Sequence, residues 1–172
     1  MSISDSDKQF VRERAIFSCE YCGVSEQNAG GELTIDHFQP QSKGSSDELE
    51  NLVYCCVRCN LYKSDFWVEP TLWNPRLEVR ENHFWQAEDG HLFALTETGE
   101  FSIRILNLNR PQLISYRYRQ RLLLEERRIL KESETSLEIL FRLSEEQREI
   151  IRTQQILLEE QRQLLKLLIE KL

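Results

Sequence analysis

The sequence has no apolar run approaching the roughly 20 residues that span a bilayer. None of signal-peptide length follows Met1. A membrane span and a secretory leader are therefore not expected, and the chain reads as cytoplasmic. It also lacks the even, paired cysteine pattern of a disulfide-stapled secreted domain, since its 172 residues hold five Cys, an odd number. Positive net charge is missing too. A formal charge of −7 is unpromising for a nucleic-acid binder if taken whole. From Leu137 to Leu172 there is neither Gly nor Pro, so nothing there interrupts a helix.

What is present centres on the stretch Thr34 to Lys63. Four of the five Cys form two C-x-x-C pairs, Cys19/Cys22 upstream and Cys56/Cys59 within the stretch. Two pairs of equal spacing in a reducing compartment point to zinc rather than to disulfides. Four thiolates close a tetrahedral site and leave no open position, so this Zn²⁺ is structural and supplies folding energy. Cys55 is either a small core residue or a substitute ligand.

The local patterns order as follows. Ser6 to Ser18 has helical spacing and delivers the chain to Cys19, and Gly23 suits a tight turn after Cys22. Leu33 to His37 reads as a strand, Gln39 to Asn51 as a polar loop, and Leu52 to Cys55 as a second strand. A short helix from Val57 to about Phe66 opens inside the second cysteine pair. The result is a ββα unit with zinc at its base. Trp67 to Arg80, with Pro70 and Pro75, is an extended connector. Three strands are expected at His83 to Trp85, His91 to Leu95 and Phe101 to Leu106, with turns at Asp89-Gly90 and Thr98-Gly99. A helix starts at Pro111, with Asn109 a candidate cap, and runs to about Lys131. A weak break follows at Ser133 to Ser136. The rest is coiled-coil-like: Ile151, Leu158, Leu165 and Leu172 recur every seven residues, with Gln154, Gln161 and Leu168 at the other seam position. Three parts are expected: residues 1–75, 76–132 and 133–172.

Phosphodiester hydrolysis needs an activated water and a cation that stabilises charge on phosphate. His37 is the natural base near neutral pH. Asp36 and Asn60 offer only oxygen ligands, which suit Mg²⁺ or Mn²⁺ better than zinc. The order C-x-x-C, Asp-His, Pro, Asn-Leu, C-x-x-C-Asn-x-x-Lys from Cys19 to Lys63 resembles the HNH endonucleases, the ββα-metal fold. The resemblance implies an α+β, treble-clef-like, zinc-stapled core that cuts DNA. It makes His37 the general base, Asp36 and Asn60 the holders of the catalytic ion, and Asn51 the residue that ties the loop and orients His37. Lys63 and Arg58 are candidate phosphate contacts. One departure is that the last motif letter is Asn60 rather than His.

Six Arg against two acids lie between Arg110 and Arg128. Arg110, Arg117, Arg121 and Arg128 share a helix face, which is either a phosphate-tracking stripe or a solvated surface. His83 and His91 read as structural. The C-terminal helix is expected to be an arm for a homodimer or a partner protein, or to fold back on the hairpin. Two other functions fit the same residues. One is a non-catalytic zinc-binding module for nucleic acid or protein. The other is a partner-gated nuclease subunit of a bacterial anti-phage system.

Overall fold

The computed structural model describes residues 3–68 and 71–169. Its chain begins with a helix, α1 (Asp5–Arg14), capped by the Ser4 hydroxyl, which accepts from Asp7 N. Asp5 and Asp7 lie in the first turn and Arg12 and Arg14 in the last, each complementing the helix dipole. The single buried residue of α1, Val11, packs with Leu52 and Tyr54. Arg12 then pairs with Glu26 at the start of the one-turn α2 (Glu26–Ala29), which ties the N-terminal helix to the zinc knuckle.

Strands β1 (Thr34–His37) and β2 (Leu52–Cys55) pair antiparallel, with Asp36 opposite Val53 and His37 opposite Leu52. All four residues of β2 are buried. Helix α3 (Val57–Lys63) follows directly, and Cys56 is its cap, the sulfur accepting from Cys59 N. This is the expected ββα order, and the α+β class holds.

The region after the connector departs from expectation in two elements. A one-turn helix, α4 (Arg80–His83), leads into the hairpin of β3 (Phe84–Gln86) and β4 (Leu92–Ala94). The third expected strand is instead a helix, α5 (Glu97–Ile105). The alternation Phe101, Ile103, Ile105 resembles a strand, but the capping chemistry decides otherwise. Thr96 Oγ1 accepts from Gly99 N, and Glu97 and Glu100 occupy the positive first turn. Thr98-Gly99 is therefore inside a helix rather than in a turn. Gly99 is needed there because a Cβ would lie 2.2 Å from the His83 carbonyl oxygen. Ser102 is fully buried; it accepts from Trp73 N and donates to Thr98 O. Leu72, Trp73, Phe84, Leu92, Phe101 and Leu106 join the zinc-side cysteines in one core.

Helix α6 (Pro111–Ile169) starts at the expected proline and runs without interruption. The break expected at Ser133 to Ser136 is absent. Thr135 and Ser136 turn their hydroxyls back onto Lys131 O and Glu132 O, so their polar groups are satisfied within the helix. Asn109 does not cap this helix; its amide brackets Leu92, accepting from N and donating to O. Two compact units result, Met1–Arg121 and Leu122–Leu172. Leu172 of the heptad series and Pro70 of the connector lie outside the described residues. No described helix is long and apolar enough to cross a membrane.

Candidate metal centre and nuclease site

Zinc-binding geometry arises from two matching knuckles. Cys22 N and Cys59 N point at Cys19 Sγ and Cys56 Sγ, at 3.4 and 3.5 Å. The four ligand sulfurs lie within 4.8 Å of one another and are buried. Sulfurs 2.3 Å from a tetrahedral zinc sit about 3.8 Å apart. Cys22 Sγ and Cys56 Sγ are 3.7 Å apart, so the donor set fits a Cys₄ zinc. Cys55 is outside the cluster and wholly buried, and burial pushes its thiol up. It is a core residue, not a ligand.

Four thiolates around one zinc leave a negative centre, and Arg110 brings a guanidinium against it. Its Nη2 lies 3.9 Å from Cys59 Sγ and 4.0 Å from Cys56 Sγ, and its guanidinium stacks over Tyr62.

The polar site lies across the ββα unit. His37 Nε2 is 2.7 Å from Asp47 Oδ1, and Gln41 Nε2 donates to the same oxygen at 2.7 Å. Nδ1 of His37 has no hydrogen-bond partner among the described residues. The hydrogen bond from His37, then that from Gln41, holds the Asp47 carboxyl below its ordinary range. Asp47 and Gln41 are the two residues that sequence reasoning missed. Gln41 opens a one-turn 3₁₀ helix (Gln41–Lys43) and Asp47 lies in the irregular loop after it, with no period to mark either. Only the closing of that loop brings them to His37.

Asn51 closes it. Its Oδ1 accepts from Gln39 N at 2.8 Å, and its Nδ2 donates to Gln39 O and Ser46 O. One amide thus satisfies three backbone groups.

Lys63, expected at the surface against phosphate, is buried. Its ammonium donates to the His37 carbonyl at 2.7 Å and lies 3.0 Å from Asp36 Oδ2. The Asp36 oxygen is buried and has no aligned hydrogen bond. Burial raises the Asp36 carboxyl above its ordinary value, and Lys63 only partly offsets this. Asn60 stands one helical turn before Lys63, on the same face of α3, and Lys63 reaches β1. Among the described residues no third acidic or imidazole ligand joins Asp36 in a cluster. A carboxylate and an amide oxygen are donor types that a hydrated hard ion takes, and Lys63 already stands on one Asp36 oxygen.

The arginine stripe does not exist as a continuous surface. Arg117 is buried; its Nε donates to Gly90 O at 2.6 Å and its Nη2 to Asn109 Oδ1. Burial, with Arg80 next, pulls its guanidinium down to about 10. It clamps the hairpin turn to α6, where a Cβ on Gly90 would lie 2.3 Å from Ile114 O. Arg121 is exposed and 3.7 Å from Glu88, and Arg58 is exposed. His83 and His91 bond Thr96 and Asp89.

Residues 19–66 match the family model for HNH endonuclease. The matched HNH segment contains all four zinc ligands, Asp36, His37, Asn51 and Asn60, and the loop residues Gln41 and Asp47. It supports a nuclease-family reading with a nucleic-acid substrate. The four-Cys cluster agrees with the zinc-binding HNH variant. No curated protein and no solved structure matches the chain.

Proposed function

We propose that the chain is a metal-dependent endonuclease that hydrolyses DNA phosphodiester bonds at the HNH segment, with His37 as general base. The observation that carries this is the posture of His37. Its Nε2 is engaged by Asp47, so the neutral ring carries its proton there and keeps the Nδ1 lone pair for a water. His83 and His91 also sit beside carboxylates, Glu78 and Asp89, but both lie outside the segment that the HNH model matches.

The other residues take roles around that base. Asn51 holds the loop that carries Gln41 and Asp47. Lys63 fixes the His37 main chain and Asp36 from beneath. Asp36 and Asn60 are the residues that would hold Mg²⁺ or Mn²⁺, which when bound supplies charge stabilisation at phosphate and at the leaving oxygen. His37 accepts the proton of the attacking water at Nδ1, and Asp47 steadies the imidazolium that forms. Arg58 and Arg121 are the exposed cations proposed to contact phosphate. The C-terminal helix is proposed as an association arm.

Nicking of supercoiled plasmid with Mg²⁺ or Mn²⁺ tests the reading, with wild type and His37→Ala compared at equal zinc content. Wild type cuts, and His37→Ala loses about 10²–10⁴-fold, the usual worth of a positioned base. Equal cutting by both rules out His37 as the base. Absence of cutting by wild type favours a non-catalytic zinc module or a nuclease gated by a partner.

A further inference from the structure

Among its described residues the second unit is one helix whose apolar side chains have nothing over them. From residue 122 to 166 every position except Ser144 is exposed. Leu122, Ile129, Leu143, Ile150, Leu157 and Leu164 form one column with a period of seven, with Ser136 in the gap. Leu123, Leu130, Leu137, Ile151, Leu158 and Leu165 form a second, with Ser144 in its gap. All twelve of these Leu and Ile are at least 45 % exposed. At two turns per heptad the columns stand about 100° apart, and the column of Glu126, Ser133, Leu140, Gln147, Gln154, Gln161 and Leu168 lies between them, apolar only at Leu140 and Leu168 and with Glu126 the one charge on it. An apolar band of this length, about 70 Å, far exceeds the patch a monomer leaves in water.

The edges of the band differ in sign. Beside the Leu122 column run Glu125, Glu132, Glu146 and Glu160, and beside the Leu123 column run Arg127, Arg148 and Arg162, with Glu134 the one acid. A two-fold axis parallel to the helices brings the acidic edge of one copy against the basic edge of the other, on both sides. An antiparallel pair sets like edges together. The acids and bases are also matched in height. Glu125 and Arg127, Glu146 and Arg148, and Glu160 and Arg162 are each two positions apart, about 3 Å along the axis, and Glu132 with Glu134 is the one like-charged pair at that offset. The side chains reach one another only if the copies are in register. Gln147, Gln154 and Gln161 add a second argument. An amide both donates and accepts, so each is satisfied by its own copy at the same level.

We infer that this face binds a second copy of the chain as a parallel, in-register coiled coil, with a central glutamine ladder and flanking Glu–Arg pairs. The inference stands apart from the nuclease reading. Glu125 and Arg148 now pair within their own helix, with Arg128 and Glu145. Such exposed pairs are weak and exchange readily for interchain ones. Leu124, Ile139 and Ile156 fall outside the band and play no part in it. By chain connectivity alone, a parallel pair joins two HNH segments at the same end of the coil.

Sedimentation velocity on the full zinc-loaded chain at tens of micromolar tests the inference. Wild type is expected to be a dimer. The triple variant Glu125→Lys, Glu146→Lys, Glu160→Lys should dimerise at least about 10-fold more weakly, as should Arg127→Glu, Arg148→Glu, Arg162→Glu. Mixing the two variants should restore the dimer. A nitroxide placed through Gln163→Cys, on the far side of the helix, should report an interchain distance of roughly 20–30 Å; an antiparallel pair gives about 50 Å or more. A monomeric wild type, an assembly indifferent to both charge swaps, or the long distance overturns the inference.

Discussion

Replacing Lys63 by Met removes the cation beneath the candidate site while keeping most of its volume. The Lys63 side chain has no exposed surface, and that of Asp36 is 14 % exposed. Losing the ammonium leaves Asp36 a buried carboxylate without a counter-charge and the His37 carbonyl without its donor. Breaking a buried pair from one side costs about 3–5 kcal/mol. With a urea slope near 2 kcal/mol per M, the midpoint should fall by about 1.5–2.5 M. The double variant Lys63→Met, Asp36→Asn should recover much of that, because the unpaired charge is gone. Urea melts followed by circular dichroism at saturating zinc measure both. DNA affinity read against salt gives an independent check. A lysine on phosphate adds about one to the slope of log K against log salt, so Lys63→Met should leave the slope unchanged. A loss below about 1 kcal/mol, the worth of an exposed pair, together with a shallower slope, would refute the buried placement.

Three other outcomes follow from the same contacts. In Asp47→Asn the His37 ring should lose its single tautomer, visible as mixed ¹⁵N shifts, and plasmid nicking should slow by about 10-fold or more with folding intact; an unchanged tautomer removes Asp47 as the orienting group. One equivalent of zinc should bind per chain, and its removal by chelator should abolish the cooperative melt of the first unit while α6 retains helical signal; a chelated protein that still melts cooperatively contradicts a structural zinc. Glu26 is held below the ordinary carboxylate range by Arg12 first and Tyr54 second. A depressed acid stabilises the fold above its unfolded pKa, and that stability is lost as pH falls through the folded value. Wild type should therefore lose urea resistance below about pH 4.3 more steeply than Glu26→Gln, and parallel curves would remove the contribution.

The features that could be read from the sequence are those set by local chemistry. Equal C-x-x-C spacings predicted the four-sulfur cluster, and a short β-branched run before a polar loop and a short apolar run after it predicted β1 and β2. Pro111 marked the start of α6. The misreadings came where local patterns compete. Phe101, Ile103 and Ile105 alternate like a strand, but the Thr96 cap and the close approach of Gly99 to His83 favour a helix. Ser133 to Ser136 look like a break only until Ser136 and its neighbour Thr135 bond back along the helix. Burial was the least visible property. Lys63 and Arg117 lie at helical spacings that suit a charged surface, yet both have their partners in the interior. Asp47 was silent because nothing in its ten-residue distance from His37 marks the two as neighbours.

The most direct measurement is single-turnover plasmid cleavage by zinc-loaded His37→Gly, with and without added imidazole. The account predicts cutting by the variant alone slowed about 10²–10⁴-fold, and a rate that rises with imidazole as the free base occupies the vacated position. Cleavage at the wild-type rate without imidazole would contradict it, because the proton would then be leaving to some other group.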